Sequence, residues 1–400
     1  MKIRNTRKKN LIVLVSQPLN KFNYYKWSLN KKYKGWNIKF WNILNLENKN
    51  LNEKFSSKGH GIIKDKNFIN VRNLFHLYEE FKKLPKNFFY INLSVLKFKS
   101  SLVDKFLNLK GGICVHFKMN MIPEPSVTKI GMRFILKNPY KLLLLKKIFN
   151  YPLIKIFNFV QQKFILGKPK IYIVPNENAF RKYKKKDPNT NIVIAHSYDY
   201  EQYLRNIKHK VKNKNYAVFI DDDIDGHFEY SLMDREKFVY TSEEYWSNVE
   251  KFLSFVESKF KIRVIIASHH RRDKRKIPIN RKFIFNKTID LVKNSRLVIM
   301  RDSTSINQAI LYKKPIILLR IKTNEKNSTT NPRITLLSKL TGANIVNLEK
   351  FNYSNKNFTS NSFLQIHDLK YEKYRDYYIK SKMSPNVSVW NTVLNELSKF

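Results

Sequence analysis

Cysteine is almost absent: Cys114 is the single one in 400 residues. One thiol excludes an internal disulfide and any CxxC metal site, and it fits a reducing cytoplasm. Glycine is scarce as well, with nine in the whole chain. Neither GxGxxG nor a Walker-type GxxxxGK occurs, so a dinucleotide fingerprint and a P-loop are both unsupported. Long apolar runs are missing too, since no window reaches the ~18 uncharged residues of a membrane span. The basic start, Met1 to Asn10, leads into an apolar run, Leu11 to Val15, that is too short for a signal-peptide core. The expectation is a cytoplasmic chain, soluble or peripheral on the inner face of the cytoplasmic membrane. Negative charge is the last shortage: 31 acidic residues stand against 77 basic ones, for a formal charge of +46. Such basicity suggests nucleic acid or an anionic membrane surface as a partner. Lys, however, is spread along the whole chain with Asn, Ile, Phe and Tyr, all encoded by AT-rich codons. A nucleic-acid-binding protein concentrates its cations on one face or helix. The dispersed Lys therefore argue against that class and leave an anionic membrane surface or anionic substrates as the secondary consequence of the charge.

What the chain does contain is enough apolar material, 42%, for two ordinary cores, and its length suggests two domains. Short apolar runs alternate with helical spacing. Leu11 to Val15, Ile38 to Leu44, Phe88 to Leu93 and Ile113 to Phe117 are predicted strands, with helices at Asn70 to Lys82 and Ser100 to Leu109. The pattern resumes at Lys170 to Val174 and Asn191 to Ala195, and again at Tyr216 to Ile220, Val264 to Ser268, Leu297 to Met300 and Ile316 to Leu319. Alternation of this kind predicts an α/β fold with largely parallel sheets. The predicted organisation is a first domain over 1–206, a linker over 207–215, a second domain over 216–385 and a C-terminal helix over 386–400. Within the first domain, 131–164 is a basic amphipathic excursion broken by Pro139 and Pro152, able to lie on an anionic bilayer or to pack on its own domain. The clearest helix follows Thr241, which forms a capping box with Glu244 and precedes the apolar face Tyr245, Val249, Phe252, Val256, Phe260.

Ligands of open parallel sheets sit beyond the carboxyl ends of the strands. Three polar runs lie at such ends in the second domain. Ser303, Thr304 and Ser305 stand where a strand turns into a helix, which suits an anion, although N-capping uses the same residues. His269, His270, Arg271 and Arg272 follow a neighbouring strand; His and Arg both donate to phosphate. The acidic run from Asp221 to Asp225, before Gly226 and His227, lacks the spacing of a calcium loop. It supplies either a general base or a solvated loop offsetting nearby Lys. His196, Asp199 and Glu201, at the end of the first domain, form a second acid/base group facing the same cleft if the domains stack.

Taken in order, these residues resemble GT-B glycosyltransferases of bacterial surface-carbohydrate synthesis (capsule, lipopolysaccharide). The sequence is also similar to bacterial sialyl- and polysialyltransferases and to glycerophosphotransferases of wall-polymer synthesis. The motifs carrying the resemblance run from Phe219 to His227, through Val264 to Arg271, Thr288 to Ser295 and Ser303 to Ser305, to Lys314-Pro315. The resemblance covers Tyr216 to about Leu319, and the first domain only by pattern. It implies two Rossmann-like domains with parallel sheets facing across a cleft. It also implies transfer of a sugar from a nucleotide-sugar donor to a glycan or lipid-linked acceptor, with no metal and no cofactor beyond that co-substrate. Carried over, Asp225 matches the catalytic base, with Asp221, His227 and Asp199 as further catalytic candidates. His269 or His270, Arg272, Thr288, Ser303, Thr304 and Ser305 match the donor site. Ile224 stands where a carboxylate is usual, and the histidine motif lacks its proline, so the choice between His269 and His270 stays open. A CDP-linked glycerophosphotransferase is the alternative within the same architecture.

Overall fold

The computed structural model describes residues 8–29, 31–47, 63–94, 98–117, 122–123, 169–208, 210–212, 214–224, 241–269, 272, 279–322, 330–353 and 363–400. They build two fully parallel sheets. The first contains β1 (Lys9–Val15), β2 (Trp36–Asn42), β3 (Phe68–Asn70), β4 (Phe88–Asn92), β5 (Gly112–Phe117), β6 (Ile171–Val174) and β7 (Asn191–Ile194). Its spatial order is β3-β2-β1-β4-β5-β6-β7. The second contains β8 (Tyr216–Ile220), β9 (Arg263–Ser268), β10 (Phe283–Phe285), β11 (Leu297–Met300), β12 (Ile316–Arg320) and β13 (Asn344–Asn347), ordered β10-β9-β8-β11-β12-β13. Both orders reverse beside the first strand of the sheet, the doubly wound pattern of a Rossmann-like domain. The GT-B architecture implied by the resemblance is therefore the one observed.

Sequence explains the strands at the middle of each sheet. Strands covered by helices on both faces need apolar side chains in both directions, and all four residues of β11, Leu297 to Met300, are buried. The register sets Leu297 against Ala217 and Ile299 against Phe219. Local polar groups end the elements. The Asn42 side chain accepts from the Leu44 amide at 3.2 Å and stops β2 two residues short of the predicted Leu44. The predicted helix from Asn70 instead begins at Leu74, because Asn70 closes β3 and Asn73 caps the helix by accepting from the His76 amide. The capping box of Thr241 and Glu244 is present at the head of Ser242–Phe260. That helix buries Tyr245, Val249, Phe252, Val256 and Phe260 together with Trp246 and Leu253.

Two pieces join the sheets. The helix Val389–Ser398 lies last in sequence, yet Val389, Trp390, Val393, Leu394 and Leu397 belong to the core of the first sheet. Trp390 stacks on Phe117 at 6.0 Å and meets Phe40 edge-on at 6.2 Å. The helix Tyr198–Asn206 faces both ways. Tyr198 stacks on Phe117 at 5.4 Å, whereas Tyr203 packs on Tyr312 of the second domain at 5.1 Å. Buried Lys293 donates to the Asn206 carbonyl at 2.7 Å, placing its charge on the negative end of that helix. The 131–164 excursion lies outside the described residues.

Candidate active site

The carboxyl ends of β8, β9 and β11 open into a cleft of about 760 Å³, and the helix Tyr198–Asn206 closes its other side. Second-domain lining comes from Asp221, Ser268, His269, Thr288, Ser303, Thr304, Ser305 and Gln308. The first-sheet side contributes Tyr25, Asp199, Gln202 and Asn206. The switch in strand order between β8 and β11 falls here, the place where such sheets bind ligands. Seven of the eleven residues singled out in the sequence thus line one cleft.

The hydroxyl loop after β11 is held at its start. Arg301, 1% exposed, donates from Nε to Asp222 at 2.8 Å, and Asp302 accepts from Arg333 at 2.8 Å. Burial raises the Asp222 carboxyl above its ordinary range, and Arg301 opposes the shift. Directly after these anchors Ser303, Thr304 and Ser305 remain at least partly exposed. The Ser303 hydroxyl accepts from the Ser305 amide at 3.2 Å, and Ser305 makes no side-chain capping bond to the helix that follows. That helix, Ile306–Leu311, is only six residues long. The anion-binding capacity of the loop therefore rests on its hydroxyls more than on a helix dipole.

Beside the loop stands His269, whose Nδ1 lies 3.9 Å from Asp223 Oδ2. Asp223 takes a left-handed backbone (φ 53°), and its amide donates to Asp221 Oδ1 at 2.9 Å. The acidic run therefore folds back on itself to put one carboxylate behind the histidine.

Two expected roles are corrected. Asp221 accepts from Arg272 through Nε at 2.5 Å and Nη2 at 2.9 Å, and from the His269 amide at 3.2 Å. Both of its oxygens are thus engaged, which ties Asp221 to Arg272 and to the backbone of His269. Arg272 in turn is 3% exposed and lies 5.1 Å from the Trp246 ring, so its guanidinium is turned to Asp221 and does not line the cleft. The acid/base group at the end of the first domain also separates. His196 is fully buried, with Nε2 2.7 Å from the Val387 carbonyl. Glu201 is 2% exposed and accepts from the Val389 amide at 2.9 Å and from Arg205 at 3.1 Å. Both hold the C-terminal segment in place and neither faces the cleft. Asp225, His227 and His270 lie outside the described residues.

Asp199 alone of that group reaches the cleft. Its Oδ2 accepts from the Asn307 amide group at 2.7 Å, and its backbone carbonyl accepts from Gln308 Nε2 at 2.8 Å. Asn307 and Gln308 are each 2% exposed, and their side-chain carbonyl oxygens have no hydrogen-bond partner among the described residues. Sequence reading missed both residues: on a short apolar helix they resemble ordinary polar positions, and only the facing Asp199 makes sense of them. Tyr25, Gln202 and Lys287 were missed as well, since no spacing sets them apart.

No family model matches the sequence, and no curated protein matches it. Among solved structures, it is similar to the UDP-GlcNAc 2-epimerase from Methanocaldococcus jannaschii (14% identity, TM-score 0.48, 98% of this chain and 100% of that one). It is also similar to Acinetobacter baumannii MurG (9% identity, TM-score 0.47, 98% and 100%). A third similar structure is the wall teichoic acid polymerase TagF (11% identity, TM-score 0.46, 98% and 89%).

Proposed function

We propose that the chain is a glycosyltransferase, moving a sugar from a nucleotide-activated donor to a surface polysaccharide or lipid-linked glycan. The observation that supports this most is the composition of the cleft. Hydroxyls and a histidine come from the second domain, a carboxylate comes from the first, and all meet at the ends of two parallel sheets. In this reading the donor lies against the second domain, with its phosphates on Ser303, Thr304, Ser305 and Thr288 and with His269 donating to the departing phosphate. The acceptor hydroxyl enters from the first-domain side. Asp199 takes its proton as the acceptor oxygen bonds to the anomeric carbon and the carbon–oxygen bond to the phosphate breaks. The Asn307 amide holds Asp199 in place for that transfer. Fixed donors aimed at the developing phosphate charge supply the main stabilisation, and the reaction is expected to run in the presence of a chelator.

Calorimetric titration tests the donor half. UDP-, CMP- and CDP-linked compounds are titrated into the wild type and into Ser303→Ala/Thr304→Ala. A nucleotide sugar that binds the wild type and loses at least about tenfold in the double variant supports the assignment. Unchanged affinity refutes it. Preference for CDP-glycerol would move the function to glycerophosphate transfer.

A further inference from the structure

We propose that the first-domain wall of the cleft is a subsite for an uncharged pyranose, the acceptor sugar that carries the attacking hydroxyl, and that Tyr25 is the platform beneath it. This rests on the transfer reading and names the acceptor class which that reading leaves open.

Tyr25, Asp199, Gln202 and Asn206 line that wall. The last three are spaced three and then four residues apart on the helix Tyr198–Asn206, so they share one face. Together they span ~10 Å of its length. Asp199 stands at one end, bonded to Asn307 beside the hydroxyl loop. At the other end Asn206 donates from Nδ2 to the Gln202 carbonyl at 2.8 Å. That bond fixes the amide, and its oxygen is the end that can accept from a hydroxyl. Gln202, partly exposed, sits between the two. A carboxylate and two carboxamides in one row suit a ligand that presents several hydroxyls at once.

Tyr25 supplies the apolar part. It lies on the short helix Lys21–Lys26 and is 48% exposed. Its backbone is anchored: the Tyr25 carbonyl accepts from Arg205 Nη1 at 2.6 Å, and the same guanidinium holds buried Glu201 at 3.1 Å. Tyr24 meets the Tyr25 ring edge-on at 5.6 Å. An anchored aromatic beside a row of amides matches a sugar, which carries C–H groups on its faces and hydroxyls at its rim.

Charge sets the class of sugar. The described side chains of this wall are a phenol, a carboxylate and two carboxamides, whereas the lysine and histidine of the lining, Lys287 and His269, come from the second domain. The division is pronounced in a chain with 77 basic residues. It places anionic groups of a ligand on the second-domain side. A phosphate or carboxylate on the acceptor would instead face the Asp199 carboxylate, and like charges brought together weaken binding. The subsite therefore selects a neutral sugar over a sialic acid or a glycerol phosphate.

The test is saturation-transfer NMR of the full chain. Methyl β-galactoside, methyl β-glucoside and methyl β-N-acetylglucosaminide are the neutral probes, and methyl α-sialoside and glycerol 3-phosphate the anionic ones. At least one neutral glycoside should bind the wild type, with its ring C–H protons receiving the transfer. Tyr25→Ala should weaken that binding at least about fivefold, whereas Tyr25→Phe, which keeps the ring, should stay within about twofold. Gln202→Ala should weaken it about threefold or more. The anionic probes should bind at least about tenfold more weakly than the neutral one. Calorimetry of the UDP-, CMP- and CDP-linked compounds on Tyr25→Ala should give the wild-type donor affinity, with thermal unfolding unchanged. The subsite is overturned if no neutral glycoside binds, or if an anionic probe binds as well as a neutral one. It is equally overturned if Tyr25→Phe loses as much as Tyr25→Ala, or if Tyr25→Ala and Gln202→Ala both bind like the wild type. A neutral glycoside that binds through Tyr25 while no nucleotide compound binds would leave the sugar subsite standing and remove the transfer reading.

Discussion

Arg272 shows how a residue can be chosen from sequence for the right place and the wrong task. It follows a strand end, as a phosphate ligand would, but its guanidinium holds Asp221 and packs on Trp246. Removing one partner of a buried pair strands the other charge, so Arg272→Ala is expected to cost about 3–5 kcal/mol in chemical denaturation. A donor ligand on the surface would cost far less stability. Asp199→Asn makes the contrasting prediction. Turnover should fall by roughly 10²–10⁴ while donor affinity stays near wild type, measured by kinetics and calorimetry on the same preparation. Ser303 to Ser305 and the His269-His270 pair could be picked out in the sequence because strand ends announce themselves locally, whereas Thr288 entered only through the resemblance. The tasks of Asp221, His196 and Glu201 could not, since each is decided by a partner between roughly 50 and 190 residues away.

Elements divide in the same way. The long helix after Thr241 and the buried central strands carry strong local signals, and the structure follows them. β3, β10 and β13 were not legible: they have three or four residues each, lie at the sheet edges and are only partly buried, so their apolar stretches are too short to mark a strand. The C-terminal helix shows its amphipathic face in the sequence, but that it packs on the first sheet depends on Trp390 meeting Phe117 and Phe40. Trp390→Ala should therefore cost roughly 3–5 kcal/mol and lower the melting temperature of the first domain. Glu201 ties the same region to the helix Tyr198–Asn206. Burial alone would raise its carboxyl, but the Val389 amide and Arg205 bring it below the ordinary 4.5. A depressed folded value means that the stabilisation is complete above pH 4.5 and is lost as the pH falls through the folded value. Acid titration followed by Trp fluorescence should show a loosening below pH 4.5 that Glu201→Gln removes. An identical acid transition in that variant would assign the effect elsewhere.

At the scale of the molecule, two sheets of the same winding, joined by one helix and tied by another, leave a polar cleft at the strand ends. The helix Tyr198–Asn206 carries Asp199 into that cleft while gripping Asn307 and Gln308 next to the hydroxyl loop, so the two halves of the site share one mechanical part. Under the proposed function, the dispersed positive charge would add long-range attraction for an anionic donor, and salt should weaken it. The central claim is that this cleft holds a nucleotide-activated sugar, and calorimetric titration of the wild type and of Ser303→Ala/Thr304→Ala tests it most directly. The account predicts that one nucleotide-sugar class binds the wild type and binds at least about tenfold more weakly to the variant, with thermal unfolding unchanged. Equal affinity in both proteins, or no binding of any nucleotide sugar to either, would contradict it.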